Sequence, residues 1–290
     1  MLKYLLISLR PKQWTKNVLL FAGLLFSQNL FQLPLFIRVS LGFLIFCLLS
    51  GGAYLINDLL DLKQDRIHPI KSKRPLASGR VPLPAAIATA AGLLVVGLVS
   101  AFLLDSMFAV IALCYVCITL GYTLFLKHVV ILDMIVIAIG FVLRAVAGAQ
   151  IIHVTISSWL LVCTIFLALF LTLGKRRHEL ILLGDHAHSH RRILEEYSPY
   201  LLDQMMSVVT ASTVMAYTLY TTAPETVEKF GTRNLVFTTP FVLYGIFRYL
   251  YLMHQKNLGG SPEQILLKDK PMMLNIFLYV LATSIILYLK

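Results

Sequence analysis

The chain has 290 residues, of which 58% are hydrophobic and only 13% are charged. Soluble domains contain about 45–50% apolar and about 25% charged residues, so this composition excludes an ordinary soluble globular protein and indicates a membrane protein. The net charge of +11 is typical of the basic cytoplasmic loops of a polytopic protein, so it does not indicate a nucleic-acid partner. It is also compatible with an anionic substrate.

Apolar runs recur along the chain, each roughly 17–25 residues long, which is the length that crosses about 30 Å of hydrocarbon. They fall at approximately 17–34, 35–56, 83–104, 107–126, 129–150, 156–174, 201–222, 234–254 and 272–289. Strands of a membrane barrel alternate over about ten residues, and these runs are longer and uniformly apolar. The sequence therefore predicts an all-α polytopic membrane protein with about nine transmembrane helices, forming a single domain over residues 1–290.

Lysine and arginine are distributed unevenly between the connecting segments. If the N-terminus lies inside, most of the basic residues fall in inside segments. The outside segments hold only Arg38, Lys229, Arg233 and Lys290. This bias predicts a multi-pass protein of the cell membrane whose N-terminus is cytoplasmic. The long inside loops, about 57–82 and 175–200, are polar, so the active-site loops are also expected on the cytoplasmic side.

An acidic group follows the second run. Asp58, Asp61 and Asp65 are spaced so that a continuing helix places all three on one face, and Asn57 joins that face. Carboxylates crowded at a membrane boundary repel one another unless a cation lies between them, and Mg²⁺ prefers such oxygen ligands. A solvated acidic helix face is the alternative, but charges at a membrane boundary are costly and usually functional.

Basic residues follow these acids at once, among them Lys73 and Arg74. Carboxylates that hold a metal beside cations that hold phosphate oxygens form a site for a diphosphate. The sequence therefore predicts a site for a magnesium-bound diphosphate at the cytoplasmic end of the second span.

The pattern N-D-x-x-D-x-x-x-D from Asn57 to Asp65, followed by R-P-L-A-S-G from Arg74, resembles the UbiA superfamily of intramembrane prenyltransferases. The resemblance covers nearly the whole chain and implies a UbiA-like helical bundle. It further implies that Asn57, Asp58, Asp61 and Asp65 bind diphosphate through Mg²⁺.

The second acidic motif of the aromatic prenyltransferases in this superfamily, D-x-x-x-D after the sixth span, is absent here. The chain instead has Glu179 as a single acid among Lys175, Arg176 and Arg177. Cations at this place suit an additional anionic group better than a second shared metal. For Arg176 and Arg177, a basic anchor at the end of a membrane helix is the alternative.

The N-terminal stretch R-P-K-Q-W-T-K-N from Arg10 to Asn17, with G-K-R-x-x-E-L from Gly174, resembles the polyprenyl-phosphate (decaprenyl-phosphate) phosphoribosyltransferase branch. This implies a membrane-embedded transferase that moves a phosphoribosyl group from phosphoribosyl diphosphate to a polyprenyl phosphate for cell-envelope polysaccharide synthesis. Arg10, Lys16 and Asn17 become further candidates for phosphate binding. The alternatives are a prenyltransferase that uses a prenyl diphosphate and a small acceptor, and a transporter of an anionic lipid or metabolite.

Two further basic residues lie at or within the apolar runs. Lys127 closes the fourth run, and Arg144 lies deep in the fifth. We predict that both bind phosphate, and a side chain that reaches the membrane surface or a structural ion pair is the alternative. The predicted substrate-binding residues are Arg10, Lys16, Asn17, Asn57, Lys73, Arg74, Lys127, Arg144, Lys175, Arg176 and Glu179.

Overall fold

The computed structural model describes residues 1–67, 69–183, 192–256, 258–260 and 262–288. Within these ranges the regular secondary structure is helical and no strand is present, which confirms the all-α prediction. The chain divides into two compact units, Met1–Thr155 and Ile156–Lys290. The single domain over 1–290 stays a prediction.

The first unit contains four long helices and several short ones. Its elements are α1 (Leu2–Ser8), a 3₁₀ helix (Pro11–Phe21), α2 (Ala22–Phe26), α3 (Leu33–Leu60), α4 (Leu62–Ile67), a 3₁₀ turn (Lys71–Lys73), α5 (Leu83–Leu104), α6 (Ser106–Leu124), a 3₁₀ turn (Leu126–His128) and α7 (Leu132–Ile151). A buried apolar cluster that includes Leu20, Phe46, Phe108 and Ile151 packs α3, α6 and α7 with the N-terminal 3₁₀ helix. Close van der Waals packing of these side chains stabilises the unit.

The second unit is built in the same way. Its elements are α8 (Ser158–Leu183), a 3₁₀ turn (Arg192–Glu196), α9 (Pro199–Thr222), α10 (Pro224–Phe230), a 3₁₀ turn (Asn234–Thr238), α11 (Thr239–Lys256), α12 (Pro262–Lys268) and α13 (Lys270–Tyr288). The start of α9 follows from its sequence, because Ser198 accepts a hydrogen bond from the Leu201 amide at 3.0 Å and Pro199 occupies the first helical turn.

Seven helices in the described ranges are long and apolar enough to cross a membrane, judged by length and composition. They are Leu33–Leu60, Leu83–Leu104, Ser106–Leu124, Leu132–Ile151, Ser158–Leu182, Asn234–Lys256 and Lys270–Tyr288. Each coincides with one of the nine predicted runs. The predicted run 17–34 instead forms part of the first 3₁₀ helix and the short α2, and the run 201–222 forms α9, whose serines and threonines lower its hydropathy. The predicted count of about nine is therefore approximate.

Candidate active site

The three predicted aspartates follow one another where α3 passes into α4. Asp58 lies in the last turn of α3, Asp61 lies between the two helices, and Asp65 lies in α4. The helical register continues across the junction, because the Asp61 amide bonds to the Asn57 carbonyl at 3.0 Å and the Asp65 amide to the Asp61 carbonyl at 2.8 Å. Asp58 and Asp65 are each only 3% exposed. We call Asp58, Asp61 and Asp65 the acidic cluster.

Three cations of the same unit hold the acidic cluster. Nη1 of Arg74 lies 3.0 Å from a carboxylate oxygen of Asp58 and 2.5 Å from one of Asp65. Arg10 donates a further hydrogen bond to Asp58. Nζ of Lys127 lies 2.5 Å from Asp61. The structure therefore brings together four predicted groups that are distant in sequence: the acidic cluster, the N-terminal segment, the basic loop and the fourth-run lysine.

Asn57 completes the contacts of Asp61. Its side-chain amide donates to the second carboxylate oxygen of Asp61 at 3.1 Å, while Lys127 contacts the first. Both oxygens of this carboxylate thus have a donor, and its side chain is 28% exposed. Asp61 is the most accessible member of the acidic cluster.

The loop after α4 places Arg74 by means of a compact turn. The amides of Ser78 and Arg80 bond back to the carbonyls of Arg74 and Pro75, each at 2.9 Å. Gly79 has φ +74°, a left-handed conformation that glycine adopts without strain. The side chains of Leu76 and Val81 are buried in a cluster with Leu55, Ala86 and Ala90. The R-P-L-A-S-G sequence therefore anchors the turn in the core and directs Arg74 to the acids.

Arg10 reaches the cluster from a strained backbone. It has φ 54° and ψ 61°, although it is not glycine and precedes Pro11, which disfavours helical conformations. Its guanidinium lies 5.0 Å from the ring centre of Tyr54, a cation–π contact. Sequence reasoning missed Tyr54, although its position four residues before Asp58 on the same helix would have indicated it.

Burial alters the ionisation of one member of the cluster. It raises the pKa of the Asp65 carboxyl, and the charges of Arg74 and Lys71 act in the opposite direction. The guanidinium of Arg74 therefore favours the ionised form of Asp65 against the effect of burial.

The arrangement fits a magnesium ion whose coordination shell is completed by oxygens of a bound diphosphate. Within the described ranges, no group of three or more His, Cys, Asp or Glu side chains could hold a metal ion. Two carboxylates nevertheless converge on one cationic atom, Nη1 of Arg74. Mg²⁺ is commonly bound by one or two carboxylates together with substrate phosphates and waters. Asp58 and Asp65 could therefore hold Mg²⁺ when a diphosphate supplies further oxygens.

Two predicted phosphate-binding residues, Asn17 and Arg144, make no hydrogen bond or ion pair with the acidic cluster and are buried instead. Asn17 and Arg144, 1% and 5% exposed, contact each other in the interior of the first unit, with 2.8 Å between Arg144 Nε and the Asn17 side-chain oxygen. Lys16 contacts Gln13 at 3.3 Å, and Lys73 is exposed at the end of the 3₁₀ turn Lys71–Lys73.

The predicted basic group of the second unit lies in the last turns of α8. Arg176 is 2% exposed and bonds to Glu179 at 2.8 Å. Arg177 forms a two-point ion pair with Asp203 of α9, at 2.6 and 3.3 Å. Lys175 is half-buried beside them. Sequence reasoning identified Glu179 but missed Asp203, because Asp203 is 26 positions from its partner Arg177 in the chain.

A second arginine–aspartate pair stabilises the end of the second unit. Arg248 of α11 bonds to both carboxylate oxygens of Asp269, at 3.1 and 2.9 Å, and the same carboxylate accepts a hydrogen bond from the Met272 amide. The hydrogen bond from Arg248 holds the pKa of Asp269 below its usual value. Asp269 therefore also caps the first turn of α13.

The apolar helices and the charged junction of α3 and α4 define a multi-pass membrane protein with a site suited to a metal-bound diphosphate. Comparison with known families identifies it further. The profile of the UbiA prenyltransferase family matches residues 18–267, and the chain belongs to this family. The resemblance inferred from its motifs is thereby confirmed.

Relatives and solved structures agree with this assignment. The chain is 31% identical over 288 residues to the decaprenyl-phosphate phosphoribosyltransferase of Corynebacterium glutamicum, covering 97% of this chain and 86% of that protein. It is 32% identical over 271 residues to the enzyme of the same name from Mycobacterium tuberculosis, covering 92% and 88%. A UbiA homologue from Archaeoglobus fulgidus, solved with GPP and Mg²⁺, superposes with a TM-score of 0.73 at 20% identity, covering 98% and 99% of the two chains. The UbiA fold prediction is confirmed.

Proposed function

We propose that this protein transfers a 5-phosphoribosyl group from phosphoribosyl diphosphate to a polyprenyl phosphate and releases diphosphate, in a magnesium-dependent reaction that supplies cell-envelope polysaccharide synthesis. The observation that carries the proposal is the convergence of Asp58 and Asp65 on one nitrogen of Arg74, with Arg10 and Lys127 on the same cluster. The identity to the two named phosphoribosyltransferases supports the choice of donor and acceptor.

The residues of the acidic cluster would act on the diphosphate end of the donor. When bound there, Mg²⁺ would neutralise the negative charge of the departing diphosphate. Arg10, Arg74 and Lys127, which hold carboxylates in the structure, would exchange these partners for phosphate oxygens. Guanidinium groups bind phosphate through two parallel hydrogen bonds, and this geometry suits Arg10 and Arg74 to that role.

The transfer step requires little acid–base chemistry from the protein. An oxygen of the acceptor phosphate forms a bond to the anomeric carbon of the ribose while the bond from that carbon to the diphosphate breaks, and the electron pair leaves with the diphosphate. The acceptor phosphate is already an anion, so no side chain has to remove a proton. Positive charge develops on the sugar in the transition state, so stabilisation of the leaving diphosphate is the principal contribution of the charged side chains.

The basic residues in the last turns of α8 would bind another phosphate. Phosphoribosyl diphosphate carries a 5-phosphate in addition to its diphosphate, and the acceptor brings one more phosphate. Lys175 and Arg176, with Glu179 orienting Arg176 at 2.8 Å, offer the cations that such groups require. A prenyl diphosphate, which has one charged end and an apolar tail, has no corresponding need for them.

The first experiment is an assay of the detergent-solubilised full chain with labelled phosphoribosyl diphosphate, polyprenyl phosphate and Mg²⁺. We expect labelled lipid from the parent chain, and its loss both with EDTA and in the variant Asp61→Ala. That variant removes the carboxylate that Lys127 and Asn57 hold. Conversion of a prenyl diphosphate with an aromatic acceptor, without any labelled lipid, would contradict the proposed donor and identify a prenyltransferase.

A cysteine-labelling experiment tests the proposed orientation in the cell membrane. Ser78 and Asn234 are both exposed, the first in the loop before α5 and the second before α11. In a chain whose four native cysteines are replaced, we expect Asn234→Cys to react with a membrane-impermeant maleimide in intact cells. Ser78→Cys should react only after the cells are permeabilised, because the positive-inside bias assigns its loop to the cytoplasm. The reverse pattern would overturn the orientation.

A further inference from the structure

Arg144 is buried in a helix that is long and apolar enough to cross the membrane, yet its hydrogen bonds go to neutral groups. Its three nitrogens donate to the Asn17 side-chain oxygen at 2.8 Å, to the Gly140 carbonyl at 2.7 Å and to the Tyr115 hydroxyl at 2.8 Å. The guanidinium also lies 4.7 Å from the ring centre of Tyr115. Burying a charged side chain inside a membrane-spanning helix is costly, so a functional reason for keeping Arg144 is expected.

Asn17 connects Arg144 to the N-terminal 3₁₀ helix. The arginine is a donor only, so the side-chain oxygen of Asn17 faces it, and the amide nitrogen is directed to Ser50 at 3.4 Å and to Cys47 at 3.3 Å on α3. Asn17 is thus the central residue of a buried network that joins α7 and α3 to the segment Pro11–Phe21.

A backbone contact one turn further along α7 holds the same segment. A Cβ on Gly148 would clash with the backbone of Leu20, whose Cα would lie 2.6 Å away. In the same region, a Cβ on Gly23 would lie 3.0 Å from Cα of Ala149. The N-terminal segment and α7 therefore touch backbone to backbone, which only a residue without a side chain permits at position 148.

The conformation of the N-terminal segment indicates that these contacts hold it. Pro11–Phe21 forms a 3₁₀ helix of 11 residues, whereas runs longer than about three or four residues are uncommon because the hydrogen-bond geometry is poor. Sequence analysis predicted a membrane-spanning helix over 17–34, which includes only residues 17–21 of this segment. Docking on α7 explains why this segment instead keeps a less favourable helix type.

We propose that Arg144 is a positioning residue that docks the N-terminal segment on α7 through Asn17 and thereby holds Arg10 on Asp58. Arg10 immediately precedes the docked helix, and its backbone is in a strained left-handed conformation while its guanidinium bonds to Asp58. The position of the docked segment Pro11–Phe21 therefore determines the position of Arg10. Arg144 contributes to the donor site without contacting the donor.

This proposal rests on the proposed function for its kinetic test, and a spectroscopic test is independent of it. The chain has two tryptophans, and Trp14 lies in the docked segment with its indole nitrogen buried. With Trp159→Phe as background, the emission of Trp14 reports docking in the absence of any substrate. We expect Arg144→Lys to shift this emission to the red and to increase quenching by acrylamide, because lysine cannot bond to all three partners of the guanidinium.

A double-mutant cycle separates positioning from direct substrate binding. We expect Arg144→Lys and Arg10→Gln each to raise the KM for phosphoribosyl diphosphate about tenfold, the loss of one charge-assisted hydrogen bond. The KM for the lipid acceptor should not change. If Arg144 acts through Arg10, the KM of the double variant for phosphoribosyl diphosphate should exceed that of Arg10→Gln by less than about twofold. Additive effects would mean that Arg144 contacts the donor itself and would overturn the proposal.

Two glycine variants and one asparagine variant complete the test. Gly148→Ala leaves Arg144 intact and should reproduce the red shift and the raised donor KM, so the test remains valid if Arg144→Lys does not fold. Gly92→Ala is the matched control, because a Cβ at Gly92 meets nothing within 4 Å. Asn17→Asp should retain docking through an ion pair with Arg144. A donor KM more than tenfold higher in Asn17→Asp, with unshifted emission, would mean that Asn17 binds phosphate and would overturn the proposal.

Because emission is read without substrate, the two proposals can fail separately. A parent chain that does not use phosphoribosyl diphosphate would contradict the proposed function only. Unchanged Trp14 emission in both Arg144→Lys and Gly148→Ala would overturn the positioning role, whatever the substrate.

Discussion

Replacing Asp58 by asparagine should lower kcat/KM for phosphoribosyl diphosphate by about a thousandfold, the upper range found when one electrostatic contact to a transition state is removed. Asp58 is only 3% exposed, and both Arg10 and Arg74 bond to it. Asparagine has nearly the same shape but no charge, so two arginines would face each other without their common carboxylate. The metal would also lose one of the two converging carboxylates.

The measurement is the initial rate of lipid labelling as a function of Mg²⁺, together with elution of the variant as a single species on gel filtration. Asp105→Asn is the matched control. Asp105 begins α6 by accepting a hydrogen bond from the Phe108 amide at 2.7 Å, and asparagine caps helices about as well as aspartate. We expect the control to keep the parental rate. A rate for Asp58→Asn within tenfold of the parent would exclude Asp58 from the donor site.

The acidic cluster could be predicted from sequence because its signal is local. The spacing of Asp58, Asp61 and Asp65 is a helix periodicity, and the backbone bonds across the junction preserve that periodicity. Arg74 could also be named as a phosphate ligand, because it lies in the basic stretch that directly follows the acids. Tertiary pairing was not predictable in this way. Arg10 and Asp58 are 48 positions apart in the chain, and nothing in either local sequence specifies the contact.

The contacts of Arg144 could not be predicted either, and its predicted phosphate binding stays a prediction. A lone arginine in an apolar run predicted a phosphate ligand, because intramembrane charges are functional by default. Its partners are an asparagine 127 positions away, a tyrosine hydroxyl and a backbone carbonyl, none of which carries a charge that would indicate it. The prediction for the run 17–34 was limited in a similar way. Its length and composition predicted a membrane span, but its first residues belong to a 3₁₀ helix whose Leu20 lies close to Gly148. Composition carries no information about that contact.

Replacing Arg74 by glutamine should change metal affinity and donor affinity in opposite directions. Nη1 of Arg74 lies between the carboxylates of Asp58 and Asp65, where a divalent cation would also be attracted. Without the guanidinium, this pair keeps its negative charge and loses its competing cation, so we expect Mn²⁺ to bind the donor-free protein about tenfold more tightly. The same change removes a phosphate ligand and should raise the donor KM about tenfold.

Free Mn²⁺ measured by electron paramagnetic resonance gives the first quantity in the absence of donor, and the labelling assay gives the second. Arg66→Gln provides a matched loss of one positive charge, on an exposed residue adjacent to Asp65, and should alter both quantities by less than about twofold because exposed charges are screened. Weaker Mn²⁺ binding in Arg74→Gln would mean that the arginine orients the carboxylates for the metal. Tighter Mn²⁺ binding with a raised donor KM requires that one guanidinium holds the carboxylates before the metal arrives and the phosphate afterwards, so that the same side chain serves both states of the site.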